Sequence, residues 1–431
     1  MGTLTWFWSG AVTPDGFTVA AKVDTNGAAC RLVVSANSGL TSPTYFGPVA
    51  ADSDGFVKLP ATGLDPLTSY YYGVEVAGSL SVAADKVGTV KTFPSPGSAA
   101  SLIMAVGNCS TANAAKWPDA IRAKNPHLFA HIGDLHYHDY STNDASQFRT
   151  AYGEVHTTST EQAALYRSTA LAYMFDDHDS GGDDADRTFM AMSAARSAYQ
   201  QCVPHWPLDT AGVLGQAFTY GRVGVIMPDL RSAADPFIAD GLDVPGHTML
   251  GTTQKQWLKD TATDMRDAGC HHILLLSSRM WHCERSSTIK DHWGSYALER
   301  TEIADFLRDS IMPKARVRMI QGDGHQISYD RFGLASDYAT GGGGPLPNFV
   351  SAPLAQTGTT AVGGPWPDME ADIPGAVTTD GRYSLVTVTD DGVNPPVFDW
   401  KSYKVNNTTG VETLFRQHTD PMYQRASIAL R

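Results

Sequence analysis

Six of the eleven residues from Asp176 to Asp186 are aspartates, His178 sits among them, and the apolar run Leu171–Phe175 comes directly before. Carboxylates at this density repel one another unless protons or cations neutralise them. The same side-chain types recur after other apolar runs: Asn108-Cys109-Ser110, then Gly133-Asp134 followed by His136, Tyr137 and His138, then Asp323-Gly324-His325. Each has a plain reading when taken singly. Asp134 could cap a turn, Asp176–Asp186 could be a solvated acidic loop, Gly322–His325 a tight turn, Cys109 a small buried side chain and Tyr137 a packing residue. Together they place acids, imidazoles, a thiol and a phenol at the ends of successive strands. Ligands collect outside the carboxyl ends of strands in open α/β sheets. If these ends are neighbours, multivalent metal is the economical way to hold so many acids in one volume. His131, inside its strand, reads as core, and His271 and His272 read as structural or exposed.

The elements that must position these residues are legible in outline. Residues 1 to about 95 look all-β, with runs such as "GFTVAAKV", "CRLVVSA", "SYYYGVEVA" and "VGTVKTF" between Gly, Pro, Asn and Asp turns. This predicts a small β-sandwich of the fibronectin or immunoglobulin type, with a linker at Pro94–Ser101. From there to 431 the pattern is α/β, with buried strands "SLIMAVGNCS", "HLFAHIGD", "LAYMFDDHD", "VGVIMPDLRS", "HHILLLSS" and "VRMIQGDGH". Trp257, Leu258, Thr261 and Met265 mark one face of a helix that Gly269 ends. Ile303, Phe306, Leu307 and Ile311 mark another. The tail returns to strands at "YSLVTVTDDG" and "VFDWKSYKV", and "GGGGP" reads as a loop.

Bulk properties narrow the function classes. The chain has 431 residues and a net charge of −13, from 45 acids against 32 bases. That balance argues against a stable nucleic-acid partner or an anionic membrane, although bound metal can reverse the local sign for an anionic substrate. No run is long and apolar enough to predict a transmembrane segment. The five cysteines lack a C-x-x-C pattern, which disfavours a zinc ribbon and leaves Cys270 with Cys283 as an open disulfide pairing. The start "MGTLTWFWSG" lacks the pattern of a secretory leader. Nothing in the sequence excludes a homo-oligomer.

In their order, "GNCS", "GDLHY", "DDHD" and "GDGH" resemble the motifs of the PhoD-like alkaline phosphatase and phosphodiesterase family, within the calcineurin-like metallophosphoesterases. "YGRVGVIMPDLRS", "TMLGTTQKQWL" and "DHWGSYALER" are similar to further family stretches, although Gly294 here follows Trp293 directly. The resemblance implies a four-layer α/β/β/α metallophosphoesterase domain over 96–431, preceded by the small all-β sandwich of 1–95. It implies hydrolysis of small-molecule phosphate esters by metal-activated hydroxide, with Fe(3+) and Ca(2+) as cofactors or another divalent metal pair as the alternative. By motif position, Cys109 and Tyr137 fall to the iron with His325 beside them, Asp134 bridges, and Asp176 or Asp177 reaches the calcium with Asp323. His178 takes the phosphate-facing position. Relatives commonly carry Asn where this chain has Asp183, so Asp183 is placed on the substrate side with added negative charge. The family is commonly exported, which predicts an extracellular or periplasmic protein. Two other readings stay open: a non-catalytic calcium-binding surface protein, and a phosphodiesterase dedicated to nucleotides or phospholipid head groups.

Overall fold

Successive residues of the central strands divide between two cores, as the period of two requires. Leu102, Met104 and Val106, Leu128, Ala130 and Ile132, and Ala170, Ala172 and Met174 enter one cluster. Their alternates Ala105, Phe129, Leu171 and Tyr173 enter another. The computed structural model that shows this describes residues 2–238, 243–283, 290–358, 370–372 and 380–420.

The strands form a nine-stranded, a seven-stranded and a four-stranded sheet. At the centre of the first, Leu102–Gly107, Leu128–Ile132 and Ala170–Met174 run parallel. At the centre of the second, Val223–Met227, His272–Ser277 and Arg316–Gln321 run parallel. Val225, Leu274, Leu276 and Ile320 share the first cluster with the nine-stranded sheet, so the two sheets face each other across it. Phe148, Tyr152, Leu165 and Tyr199, from the helices Ala145–Thr157, Thr160–Ser168 and Met192–Cys202, cover the outer face of the nine-stranded sheet. Leu258, Met265, Ile303 and Leu307, from Gly251–Asp267 and the helix Ala297–Phe306 with its π-helical extension Leu307–Ile311, cover the outer face of the seven-stranded one. This is the four-layer α/β/β/α order. Each layer of helices buries an apolar stripe, and each sheet is buried on both faces.

The N-terminal β-rich region does not stand wholly apart. Ala29–Ser35, Thr44–Ala50, Ser69–Val76 and Gly88–Lys91 make the four-stranded sheet. Leu4–Thr13, Gly16–Val23 and Phe56–Ala61 instead continue the nine-stranded sheet, with Gly10 paired parallel to Leu171. Trp6 and Trp8 carry that edge into the outer cluster, where the Trp8 indole N–H donates to the Cys202 carbonyl at 2.7 Å. Cys270 is a buried free thiol, so the pairing with Cys283 left open by the sequence is not made. The Gly341–Pro345 run is loop, as its composition predicts.

Candidate metal centre

The loops that leave the strands Leu102–Gly107, Leu128–Ile132, Ala170–Met174 and Arg316–Gln321 meet at one place. Four of the side chains there stand on left-handed backbone: Cys109 (φ 54°), Asp134 (φ 56°), Asp323 (φ 62°) and His325 (φ 45°). For a residue with a Cβ that conformation costs about 1–2 kcal/mol, and it persists only where the surroundings impose it. The imposing contacts are visible. The Cys109 amide donates to the Gly133 carbonyl at 3.1 Å and the Ser110 amide to the Asp134 carbonyl at 2.8 Å. Asp179, fully buried, accepts from the backbone amides of Asp134 (2.8 Å), Leu135 (2.8 Å) and Asp176 (3.1 Å), which ties two loops together. Gly133, at φ 107°, must be glycine, because a Cβ there would lie 2.6 Å from the Cβ of Asp176.

Asp134 is the hub. Its Oδ2 accepts from the Tyr137 hydroxyl at 2.8 Å and lies 3.6 Å from the Cys109 Sγ, while the Tyr137 hydroxyl is 3.2 Å from His325 Nε2. Three groups of metal-capable side chains have ligand atoms within 4.8 Å of one another: Cys109, Asp134 and His325; Asp134, Asp177 and His178; Asp134, Asp176 and Asp323. Asp134 belongs to all three. Its Oδ1 is buried and accepts no hydrogen bond among the described residues.

The electrostatics show what the cluster lacks. Burial, then the neighbouring Asp177 and Asp176, push the Asp134 carboxyl well above the usual range. Burial, then Asp291 and Asp177, do the same to Asp323. Burial and the nearby acids also hold the Cys109 thiol and the Tyr137 phenol in their protonated forms. Burial raises Asp176 to about 7 against the opposing pull of Arg231. Asp177 is depressed, because Arg231 and His178 outweigh its burial. Burial works to lower His178, but Asp177 and a 2.6 Å contact with Asp139 outweigh it and raise the imidazole. Acids held protonated in a buried cluster, with one oxygen unmet, fit a site whose positive charge comes from metal. The donor set fits as well: thiol, phenol and imidazole on one side, carboxylate oxygens on the other.

The structure therefore brings together Cys109, Asp134, Tyr137, Asp176, Asp177, His178, Asp323 and His325. Asp183 lies exposed on the following loop, outside the three groups, whereas the amide of its neighbour Asp184 donates to Asp177 Oδ2 at 2.9 Å. His131 is buried, 2.9 Å from the Ser110 hydroxyl, and burial drops its pKa to about 3. His271 is exposed and His272 buried. Sequence reasoning missed Asp179, Asp139, Arg231, Arg279, Asp291 and Ser278, whose hydroxyl donates to Asp176 Oδ1 at 2.9 Å, as parts of the site. The signal for two of them was present: Arg231 and Asp291 lie in the "PDLRS" and "DHWGSYALER" stretches.

Comparison with known proteins agrees with this fold. A solved structure of PhoD superposes with a TM-score of 0.74 at 17% identity, covering 96% of this chain and 92% of that one. The structure of purple acid phosphatase PPD1 from yellow lupin (Lupinus luteus) seeds superposes with a TM-score of 0.62 at 12% identity, covering 96% of this chain and 73% of that one. At such low identity these likenesses establish the fold, a metallophosphoesterase domain with an N-terminal β-rich region. No curated protein matches the sequence. No helix among the described residues is long and apolar enough to cross a membrane. The PhoD-like phosphatase family matches residues 105–370, more than half the chain. The chain belongs to the PhoD-like phosphatase family, whose members are metal-dependent phosphoesterases.

Proposed function

We propose that the chain hydrolyses small phosphate esters, monoesters and diesters alike, at a centre holding one ferric ion and one calcium ion. The observation that carries this reading is the place of Asp134 in all three ligand groups, from which it would bridge two unlike sides. Cys109, Tyr137 and His325 would hold the iron, because thiolate and phenolate favour a trivalent ion. Asp177 and Asp323, with Asp176 beside them, would hold the calcium through oxygen. When bound, the ions supply Lewis acidity, which makes water nucleophilic near neutral pH and offsets charge on phosphoryl oxygens.

The chain's own residues do the rest. His178, its pKa raised, carries the proton that the leaving alkoxide needs. Asp139 accepts from His178 Nδ1, which leaves Nε2 as the nitrogen turned away from that contact. The Tyr137 ring, its centroid 4.1 Å from that of His178, limits the tilt of the imidazole. Asp183 is the proposed substrate-side acid, exposed on the loop that Asp177 anchors through Asp184. Export from the cytoplasm belongs to the same proposal, on the family resemblance.

The test pairs elemental analysis of the purified protein with rates on p-nitrophenyl phosphate and bis(p-nitrophenyl) phosphate. Iron and calcium near one per chain, with turnover of both esters, is the expected result. A metal-free protein with wild-type turnover, or a metal-loaded protein inert to both esters, would overturn the reading.

A further inference from the structure

Three stretches that resemble the family, yet supply no metal ligand, converge on one side chain. Arg231 is fully buried. Its Nε donates to Asp176 Oδ1, its Nη1 and Nη2 donate to Asp291 Oδ1 (2.9 Å) and Oδ2 (2.5 Å), and its Nη2 lies 3.4 Å from Asp177 Oδ1. In "PDLRS", Asp229 Oδ1 accepts from the amides of Arg231 and Ser232, each at 2.9 Å, and fixes the turn. In "TMLGTTQKQWL", the Gln254 carboxamide accepts from the Asp229 amide at 2.8 Å and donates to its carbonyl at 2.7 Å. "DHWGSYALER" supplies Asp291 itself. Its Glu299 accepts from the Met249 and Leu250 amides at 2.6 and 3.1 Å, anchoring the start of the helix that carries Gln254. Arg279 adds a second buried guanidinium, its Nε 2.8 Å from Asp291 Oδ1.

We infer that Arg231 is a positioning residue that acts as a fixed internal cation for the calcium side of the centre. A guanidinium does not lose its proton in a protein. It therefore neutralises Asp176 and Asp177 in place and competes, from behind, with any divalent ion that approaches them from the front. Asp291 sets how much of that charge reaches the two acids. The inference rests on the proposed divalent ion at Asp134, Asp177 and Asp323.

Two substitutions have opposite expected signs. Arg231→Met leaves buried carboxylates without their partner in the metal-free protein, a state that is costly and that cation binding relieves by linkage. Calcium should bind tighter by on the order of tenfold, and the melting temperature of the chelated protein should fall further than that of the calcium-loaded one. Asp291→Asn removes the acid that shares the guanidinium, so more positive charge faces Asp176 and Asp177 and calcium should bind more weakly. Arg231→Lys should fall between the unaltered protein and Arg231→Met.

The experiment is calorimetric titration of chelated protein with calcium chloride, with a parallel manganese titration and melting curves with and without metal. Shifts of the same sign in Arg231→Met and Asp291→Asn, or equal losses of melting temperature in the two metal states, overturn the inference. If Arg231→Met does not fold, unchanged or tighter binding in Asp291→Asn overturns it alone. Turnover is not read. A protein with the expected signs that hydrolyses neither aryl ester removes the proposed function and leaves this inference standing. An unaltered protein that binds neither ion removes both.

Discussion

The two sides of the centre manage buried negative charge differently. Around Cys109 and Tyr137 the potential anions keep their protons, held by burial and by the neighbouring acids. Around Asp176 and Asp177 the seven-stranded sheet delivers two arginines, and Asp177 is ionised without any metal. The first side holds charge only when metal displaces protons. The second keeps Asp177 ionised beside a resident cation, against which any metal would have to bind. The difference teaches that the surroundings, and not the ligand types alone, set how each side carries charge before any cation arrives. On the proposed reading, a thiol and a phenol held protonated call for an ion acidic enough to displace their protons. Carboxylates beside a fixed guanidinium would suit a hard, oxygen-seeking divalent ion, as the proposed calcium is.

Asp134 joins the two sides, so its loss should break the comparison outright. Asp134→Asn should lower turnover by about a thousandfold or more and release metal from both sides, as elemental analysis would read. Near-full turnover with normal metal content would refute the bridging role. Tyr137→Phe cuts one side only. It should remove the visible charge-transfer band expected of phenolate on ferric iron and lower turnover by about a hundredfold, while calcium content persists. Loss of calcium together with the band would mean that the sides are not independent.

A smaller effect separates protons from guanidinium. In the chelated protein, Asp176 and Asp179 have pKa values raised from 3.8 to about 7 by burial, and Asp134 and Asp323 are raised as well. A carboxyl raised on folding binds more protons in the native state than in the unfolded one, so stability falls as pH rises. The stability it lends is full below 3.8 and lost as pH climbs through about 7. Asp177, depressed, acts in the opposite sense and only below 3.8. The chelated protein should therefore melt at progressively lower temperature between pH 4 and 7, and the metal-loaded protein should not. Parallel curves with and without chelator across that range would show that protons are not what the metal replaces.

The contrast between the sides also explains what the sequence could and could not reveal. Cys109, Asp134, Tyr137, Asp177, Asp323 and His325 were legible because each follows a buried strand within a few residues, and strand ends of parallel sheets converge. The six central strands were legible for the same reason: continuous apolar runs bounded by polar residues. Arg231 stood in a motif-like stretch, but its role was not legible, since that lies in Asp176, 55 residues away, and Asp291, 60 residues away. Asp179 was hidden in a run of like residues, and only its three backbone donors tell it from Asp176 and Asp177. Likewise the N-terminal strands read as a separate sandwich, because the pairing of Gly10 with Leu171 leaves no periodic trace. Local pattern reports an element, but not the edge it joins.

The weakest link expected to be measurable lies at the mouth of the centre, where neither protons nor arginine dominate. Asp139 stands on left-handed backbone (φ 52°) and holds His178 Nδ1 at 2.6 Å, yet its side chain is 48% exposed. Solvent screens a pair this exposed, so its contribution to stability is small, roughly 0–1 kcal/mol. On the proposed function its contribution to turnover is orientation: it keeps one imidazole nitrogen occupied and the other directed elsewhere. Asp139→Asn retains the hydrogen bond and removes the charge, so kcat should fall only a few-fold, with KM and metal content unchanged. Asp139→Ala removes both and should fall further, by about tenfold. Equal losses in the Asn and Ala variants would show that charge, not orientation, is what His178 takes from Asp139. The mouth of the site would then follow the rule of its Asp176 and Asp177 side.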